Sequence, residues 1–128
     1  FQDDNLFRYI QNSIVLICDY LDIGTEIIVS SSVTADHDLL SQDRVLSLCK
    51  ELDAETYINP IGGLELYSEE EFEKNGLKLQ FISLDDVKYR QFDNEFLASL
   101  SIIDVLFFNS SEDVRGILEH GFSILNDE

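Results

Sequence analysis

The sequence predicts an α/β fold: a short parallel sheet of about three strands, near residues 25–30, 55–59 and 77–82, with helices on both faces and a helical C-terminal segment. Three observations lead there. Apolar residues recur at helical spacing in some segments and at alternate positions or in β-branched runs in others, and the two kinds take turns along the chain. Strands separated by helices at intervals of about thirty residues imply crossover connections and hence parallel pairing. Finally, 45% hydrophobic residues, nine Phe and one Pro in 128 residues can supply the core of one domain spanning the chain, despite 26 acidic side chains against 8 basic ones.

From Asn5 to Leu21, the residues Leu6, Ile10, Ile14, Ile17 and Leu21 mark a first helix, with Gly24 beyond it as a stop. Thr25 to Val29 is β-rich and opens into Ser30, Ser31 and Ser32, a strand followed by a polar loop. Leu39, Val45, Leu46, Cys49 and Leu52 then define a second helix whose wet side carries Ser41, Asp43, Lys50 and Glu51. Glu55 to Ile58 is the next strand, closed by the turn-formers Asn59, Pro60, Gly62 and Gly63. Ser68 and Glu71 have capping-box spacing for a short acidic helix, Glu69 to Lys74, that stops at Asn75 and Gly76. Leu77, Leu79 and Phe81 alternate with Lys78 and Gln80 as the third strand. A polar, aromatic loop runs from Asp85 to Glu95. Ser101 to Phe108 reads as a nearly buried helix with Asp104 its lone charge, and Ser110 with Asp113 opens a last helix through His120 to Gly121. Phe122, Ile124 and Leu125 are left to fold back onto the core.

A net charge of −18 repels phosphate backbones and anionic lipid, so neither nucleic acid nor a membrane surface is expected as a partner. No apolar run is long enough to span a bilayer, and no basic segment precedes an apolar one as in a signal peptide. Phe1 heads a chain without methionine, which suggests an excised piece of a longer protein. Cys18 and Cys49 lie within helical patterns, as small buried thiols do, so a reducing cytoplasm is the expected compartment. His37 and His120 have no second His or Cys at ligand spacing, so no metal site is expected, and no cofactor motif is present. There is no nucleophile elbow, and the acidic run Glu69, Glu70, Glu71 and Glu73 reads as a solvated helix face.

In parallel sheets ligands bind beyond the carboxyl ends of the strands. That rule selects the loops Ser30 to Ser32, Asn59 to Tyr67 and Val87 to Phe96, which hold most of the uncharged hydrogen-bonding side chains. The substrate-binding candidates are Ser30, Ser31, Asn59, Gly62, Gly63, Tyr67, Tyr89, Gln91 and Ser101. Each has a structural alternative: the serines can cap or turn, the glycines can serve bare turn geometry, and the tyrosines and Gln91 can pack loops. Ser101 and Asp104 also fit the S-x-x-D cap pattern, against which stands a functional carboxylate in an apolar helix.

Several segments look familiar in order and spacing: Glu55 to Tyr67 (ETYINPIGGLELY), Phe72 to Phe81 (FEKNGLKLQF), Tyr89 to Phe96 (YRQFDNEF) and Leu100 to Asn109 (LSIIDVLFFN). With Ile23 to Ser31 and Leu46 to Ala54, the chain from about residue 20 to 125 resembles the C-terminal half of the WbqC-like protein family. The resemblance implies a bacterial cytoplasmic protein of polysaccharide or O-antigen biosynthesis, acting as a glycine (aminoacyl) transferase on an amino sugar or nucleotide-sugar. By the same resemblance a missing N-terminal half is a partner, the fragment alone can be inactive, and an open sheet edge invites a homodimer. The family's Gln-Pro-aromatic loop and Arg-Asn-Arg region do not occur here, and Leu97 and Ala98 stand where the family often has proline.

Two functions follow. In the first, Asp104 or Glu95 is the base for an amine that receives an acyl group, with the Gly62 and Gly63 amides as oxyanion donors. In the second, the domain only binds, or serves as a scaffold in glycan assembly. Asp104 discriminates: against Tyr89 and Gln91 it supports the enzyme, and spent on capping its own helix it supports the scaffold.

Overall fold

The computed structural model describes residues 4–93 and 95–126; Phe1, on which the expectation of an excised piece rests, lies outside the described residues. In chain order the elements are α1 (Leu6–Tyr20), α2 (Ser41–Glu51), β1 (Thr56–Pro60), α3 (Glu69–Lys74), β2 (Lys78–Leu84), α4 (Ile102–Phe108), α5 (Ser111–His120) and β3 (Phe122–Leu125). Single 3₁₀ segments occupy Ser30–Ser32 and Ile61–Leu66. By internal packing the chain forms two units: one joins the residues through Glu26 to Asp86–Gly121, and the other joins Ile27–Asp85 to the strand that starts at Phe122.

The second unit holds the sheet, in the order β1-β2-β3. β1 runs parallel to β2, with Tyr57 opposite Leu79 and Asn59 opposite Phe81, as the crossover through α3 requires. β3 runs antiparallel to β2, with Ile124 opposite Ile82. The α/β class therefore holds, but the sheet is mixed rather than parallel. The strand expected near 25–30 is extended chain leading into the 3₁₀ turn at Ser30–Ser32, and the tail supplies the third strand instead. The reason is physical: β-branched residues favour a strand only when a ladder partner and a buried face come with it, and Ile27 and Ile28 stay exposed.

β2 is central, with Leu79, Gln80 and Phe81 all buried. Cys49 of α2, Phe72 of α3, Leu77, Leu79 and Phe81 form the core, and Val45, Leu46, Ala54, Tyr57 and Tyr67 pack around them. Both helices of this unit thus cover the Leu79 and Phe81 face, so the expected helices on both faces are found on one face within it. Phe72 is wholly buried, its ring stacked on Tyr57 at 5.5 Å and edge-on to Tyr67 at 5.9 Å.

The helix ends explain why the chain turns where it does. Helix α3 stops at Gly76, at φ 73°, with the Leu77 amide donating to the Phe72 carbonyl at 3.0 Å. The same closure ends α1 at Asp22 (φ 57°, Ile23 to Cys18 carbonyl 2.9 Å) and α2 at Asp53 (φ 50°, Ala54 to Cys49 carbonyl 2.9 Å). Asp22, rather than Gly24, is therefore the stop of α1; a short side chain that bonds locally tolerates the left-handed region. Replacing Asp53 by Gly should raise stability by about 0.5–1 kcal/mol, because the left-handed conformation costs Gly nothing sterically. Urea unfolding of the variant checks this.

In the first unit, Asn5 caps α1 by accepting the Arg8 amide at 3.1 Å. Leu21 and Val114 are its buried apolar residues, while α1 itself buries none. Ser110 and Asp113 complete the expected capping box of α5, the Asp113 amide reaching the Ser110 hydroxyl at 3.2 Å and the Ser110 amide reaching Asp113 Oδ2 at 3.3 Å. Helix α4 departs from expectation: Ile103 and Phe107 are exposed, so the segment is amphipathic rather than nearly buried. In α3 the box is half made. Ser68 Oγ accepts the Glu71 amide at 3.4 Å, but the Ser68 amide donates to Gln42 Oε1 at 2.6 Å and Glu71 pairs with Lys74 at 2.8 Å.

Candidate functional site

Tyr89 and Gln91 lie two residues apart in the chain that enters the 86–101 loop, and both reach the carboxylate of Asp104 in the first turn of α4. The Tyr89 hydroxyl donates to Asp104 Oδ2 at 2.7 Å, and Gln91 Nε2 donates to the same oxygen at 2.8 Å. Gln91 Nε2 also donates to the Leu97 carbonyl at 3.1 Å, and Gln91 Oε1 accepts the Leu97 amide at 2.7 Å. The carboxamide thus fastens the loop as a neighbouring strand would, and Gln91 is buried. The Phe96 ring meets Tyr89 edge-on at 5.1 Å.

Asp104 is not spent on its own helix. Ser101 caps α4 by accepting the Ile103 amide at 3.2 Å, and the Asp104 amide is held by the Ser101 carbonyl at 2.9 Å. Oδ2 of Asp104 carries two donors, while among the described residues Oδ1 accepts no hydrogen bond and is not sealed from solvent. An acceptor-only carboxylate with one oxygen fixed and the other open can hold an ammonium or a hydroxyl and take its proton. Tyr89 is pushed above the ordinary phenol range by desolvation and by its bond to Asp104, so it stays a donor.

The sequence candidates divide between the two units. Tyr89, Gln91, Glu95, Ser101 and Asp104 belong to the first. Tyr89, Gln91 and Asp104 converge; Ser101 is a cap; Glu95 is exposed and makes no hydrogen bond among the described residues. Ser30, Ser31, Asn59, Gly62, Gly63 and Tyr67 belong to the second unit. Here the Tyr57 hydroxyl lies 3.2 Å from both Asn59 Oδ1 and the Tyr67 hydroxyl. Gly63 is buried, and a Cβ there would overlap the Asn59 side-chain amide, so its lack of a side chain makes room for Asn59. Gly62 faces open space. Ser30 and Ser31 are exposed in their 3₁₀ turn. Tyr67 and Asn59 are thus tied into the aromatic packing around Phe72.

Tyr57 gives this second cluster a pH signature. Burial first, then the bond to Tyr67, raises its phenol far above the ordinary 10.0. A phenol whose pKa rises on folding holds its proton more tightly in the folded chain, so its contribution is full below the ordinary value and fades as pH climbs past it. Stability should therefore fall between about pH 10 and pH 12, and Tyr57→Phe should flatten that fall. Urea unfolding at a series of alkaline pH values measures it.

Sequence reasoning passed over the Leu97 main chain, which carries no composition signal. It also gave no role to Phe92, whose ring meets Phe108 edge-on at 4.7 Å. A bulky aromatic in an otherwise polar loop is the signal that was there to be read. Among the described residues no helix is long and apolar enough to cross a membrane, and no His, Cys, Asp and Glu cluster could hold a metal ion.

Comparison with known proteins adds the family. The model of the WbqC-like protein family matches residues 1–116, and the chain belongs to that family. No curated protein and no solved structure matches it. Membership associates the chain with polysaccharide biosynthesis.

Proposed function

We propose that Asp104, Tyr89 and Gln91 form the acceptor site of an aminoacyl, specifically glycyl, transferase acting on the amino group of a sugar or nucleotide-sugar. The observation that carries the reading is that Asp104 directs Oδ2 to Tyr89 and Gln91 and, among the described residues, gives Oδ1 no partner, instead of capping its own helix. A phenol, a carboxamide and a carboxylate around one point match the hydroxyl and amine groups of an amino sugar. In the reaction the sugar nitrogen attacks the carbonyl carbon of an activated glycyl ester or thioester. The new amide bond forms as the bond to the leaving oxygen or sulfur breaks. The nitrogen's proton passes to Oδ1 of Asp104 and from there to the leaving group. Asp104 is preferred to Glu95 as base because Tyr89 and Gln91 fix its position, whereas no hydrogen bond among the described residues orients Glu95. The Gly62 and Gly63 amides, in the other unit, are given no part in this site. Two free cysteines fit a reducing cytoplasm as its location.

A non-catalytic binding or scaffold role is the second reading, favoured by one observation: Tyr89, Gln91 and Leu97 satisfy one another in the free chain, as a structural network would. Thermal unfolding with millimolar D-glucosamine separates an acceptor site from a purely structural scaffold, and glycyl transfer from a glycyl thioester to the same sugar separates catalysis from binding alone. The first reading expects a rise in melting temperature that Asp104→Asn removes, since a ligand that binds only the folded state stabilises it by mass action. A rise unaffected by Asp104→Asn, or none at all, sinks it.

A further inference from the structure

Phe92 is a residue of the first unit that the network around Asp104 does not explain. Tyr89 and Gln91, at alternate positions, both point at Asp104, so the chain there is extended. Phe92 breaks that run with φ at +50°, a conformation that a bulky side chain adopts only when its surroundings impose it. The surroundings are visible. Arg90 Nε donates to the Phe92 carbonyl at 3.2 Å, and the ring lies edge-on to Phe108 at 4.7 Å. Yet 72% of Phe92 remains exposed, so burial does not repay the strained backbone.

The placement of the ring is informative. Phe108 lies four residues after Asp104 on α4, so the two share a helix face, with about 5–6 Å between their Cβ atoms. Phe92, resting on Phe108, therefore lies about one helical turn along α4 from Asp104. The charges beside it are already engaged. Arg90 pairs with Asp93 at 2.9 Å and Lys88 with Asp86 at 3.3 Å. In a chain of net charge −18, the cations on this loop among the described residues, Lys88 and Arg90, thus already face carboxylates rather than offering a site for phosphate.

We infer that Phe92, backed by Phe108, is the stacking platform of a second saccharide subsite beside Asp104, so that the acceptor is a glycan segment of at least two sugar rings. The inference rests on the acceptor site proposed above. The amino sugar occupies Asp104, Tyr89 and Gln91, and the carbon–hydrogen face of the neighbouring pyranose lies on Phe92. The positive φ at Phe92 is what turns the ring to that place before the ligand arrives, which spares the ligand the cost of ordering it.

Calorimetric titration of the whole chain with D-glucosamine, its β-1,4-linked dimer and UDP-glucosamine tests this. The dimer should bind about tenfold tighter than the monomer. Phe92→Ala should bring that ratio near one, Phe92→Trp should restore it, and circular dichroism should show all three chains folded. A dimer no tighter than the monomer, or a ratio unmoved by Phe92→Ala, overturns the second subsite while leaving the Asp104 site standing. If UDP-glucosamine gains the most and loses it in Phe92→Ala, the platform is for a nucleobase and the saccharide assignment is overturned. If no amino sugar binds, the acceptor site fails and this subsite with it.

Discussion

Asp104→Asn is expected to lower the rate of the proposed glycyl transfer to glucosamine by a factor of about 10²–10⁴, the range a positioned general base contributes. The substitution keeps size and lets Oδ1 and the amide still meet Tyr89 or Gln91, so the loop stays fastened through the two Gln91 to Leu97 bonds of 3.1 and 2.7 Å. What it removes is both the negative charge that holds the sugar ammonium and the acceptor able to take a proton from the attacking amine, so binding and rate fall together. Gln91→Leu should act differently. It leaves the base but frees the loop and strips one of two donors from Oδ2, so weaker acceptor binding should accompany a smaller fall in rate. Single-turnover assays with a glycyl thioester as donor separate the two effects. Equal losses in both variants would mean that the cluster acts only as a structural clamp.

Phe72→Ala is expected to cost about 3–5 kcal/mol, more than any other single truncation in the second unit. Phe72 is wholly buried, closes the core between α3 and β2, and holds Tyr57 and Tyr67 in place by ring contacts of 5.5 and 5.9 Å. Removing it leaves a cavity and loosens the two hydroxyls that meet at 3.2 Å. Urea unfolding gives the number. The Asp104 network lies in the other unit, so its response to glucosamine is a separate readout in the same variant.

The parts of the fold legible in the sequence were those fixed by local chemistry. The periodicity of Leu6, Ile10, Ile14 and Ile17 set α1, and the Ser110 and Asp113 spacing set the start of α5, because capping and amphipathic spacing act within a few residues. The alternation of Leu77, Leu79 and Phe81 set β2 for the same reason. What failed depended on distant partners. Thr25 to Val29 has strand composition but no ladder partner among the described residues, while Phe122–Leu125 is a strand because β2 offers a free edge. Asp22 and Asp53 stop helices in a role usually given to glycine, and nothing in the local spacing separates such an aspartate from a solvated one.

The site was half legible. Asp104 stood out as one charge in an apolar helix, and Tyr89 and Gln91 as polar side chains in an aromatic loop. That they converge follows from the loop's path, which the Gln91 bonds to Leu97 fix and which no spacing rule encodes. Asn59, Gly63 and Tyr67 met the same loop criteria and turned out to serve packing around Phe72, because side chains suited to a ligand are equally suited to each other. Family membership sharpens the question of substrate without choosing between these two clusters.

The side-chain amide of Gln91 is the most direct reporter of the central claim, since its nitrogen touches the carboxylate assigned to the sugar amine at 2.8 Å. Its nitrogen and proton resonances, followed by NMR in a ¹⁵N-labelled chain, should shift on adding D-glucosamine and stay in place on adding equal D-glucose, which has a hydroxyl where glucosamine has the amine. Shifts with both sugars alike, with neither, or confined to the residues around Tyr57 and Tyr67 would contradict an amino-sugar site at Asp104.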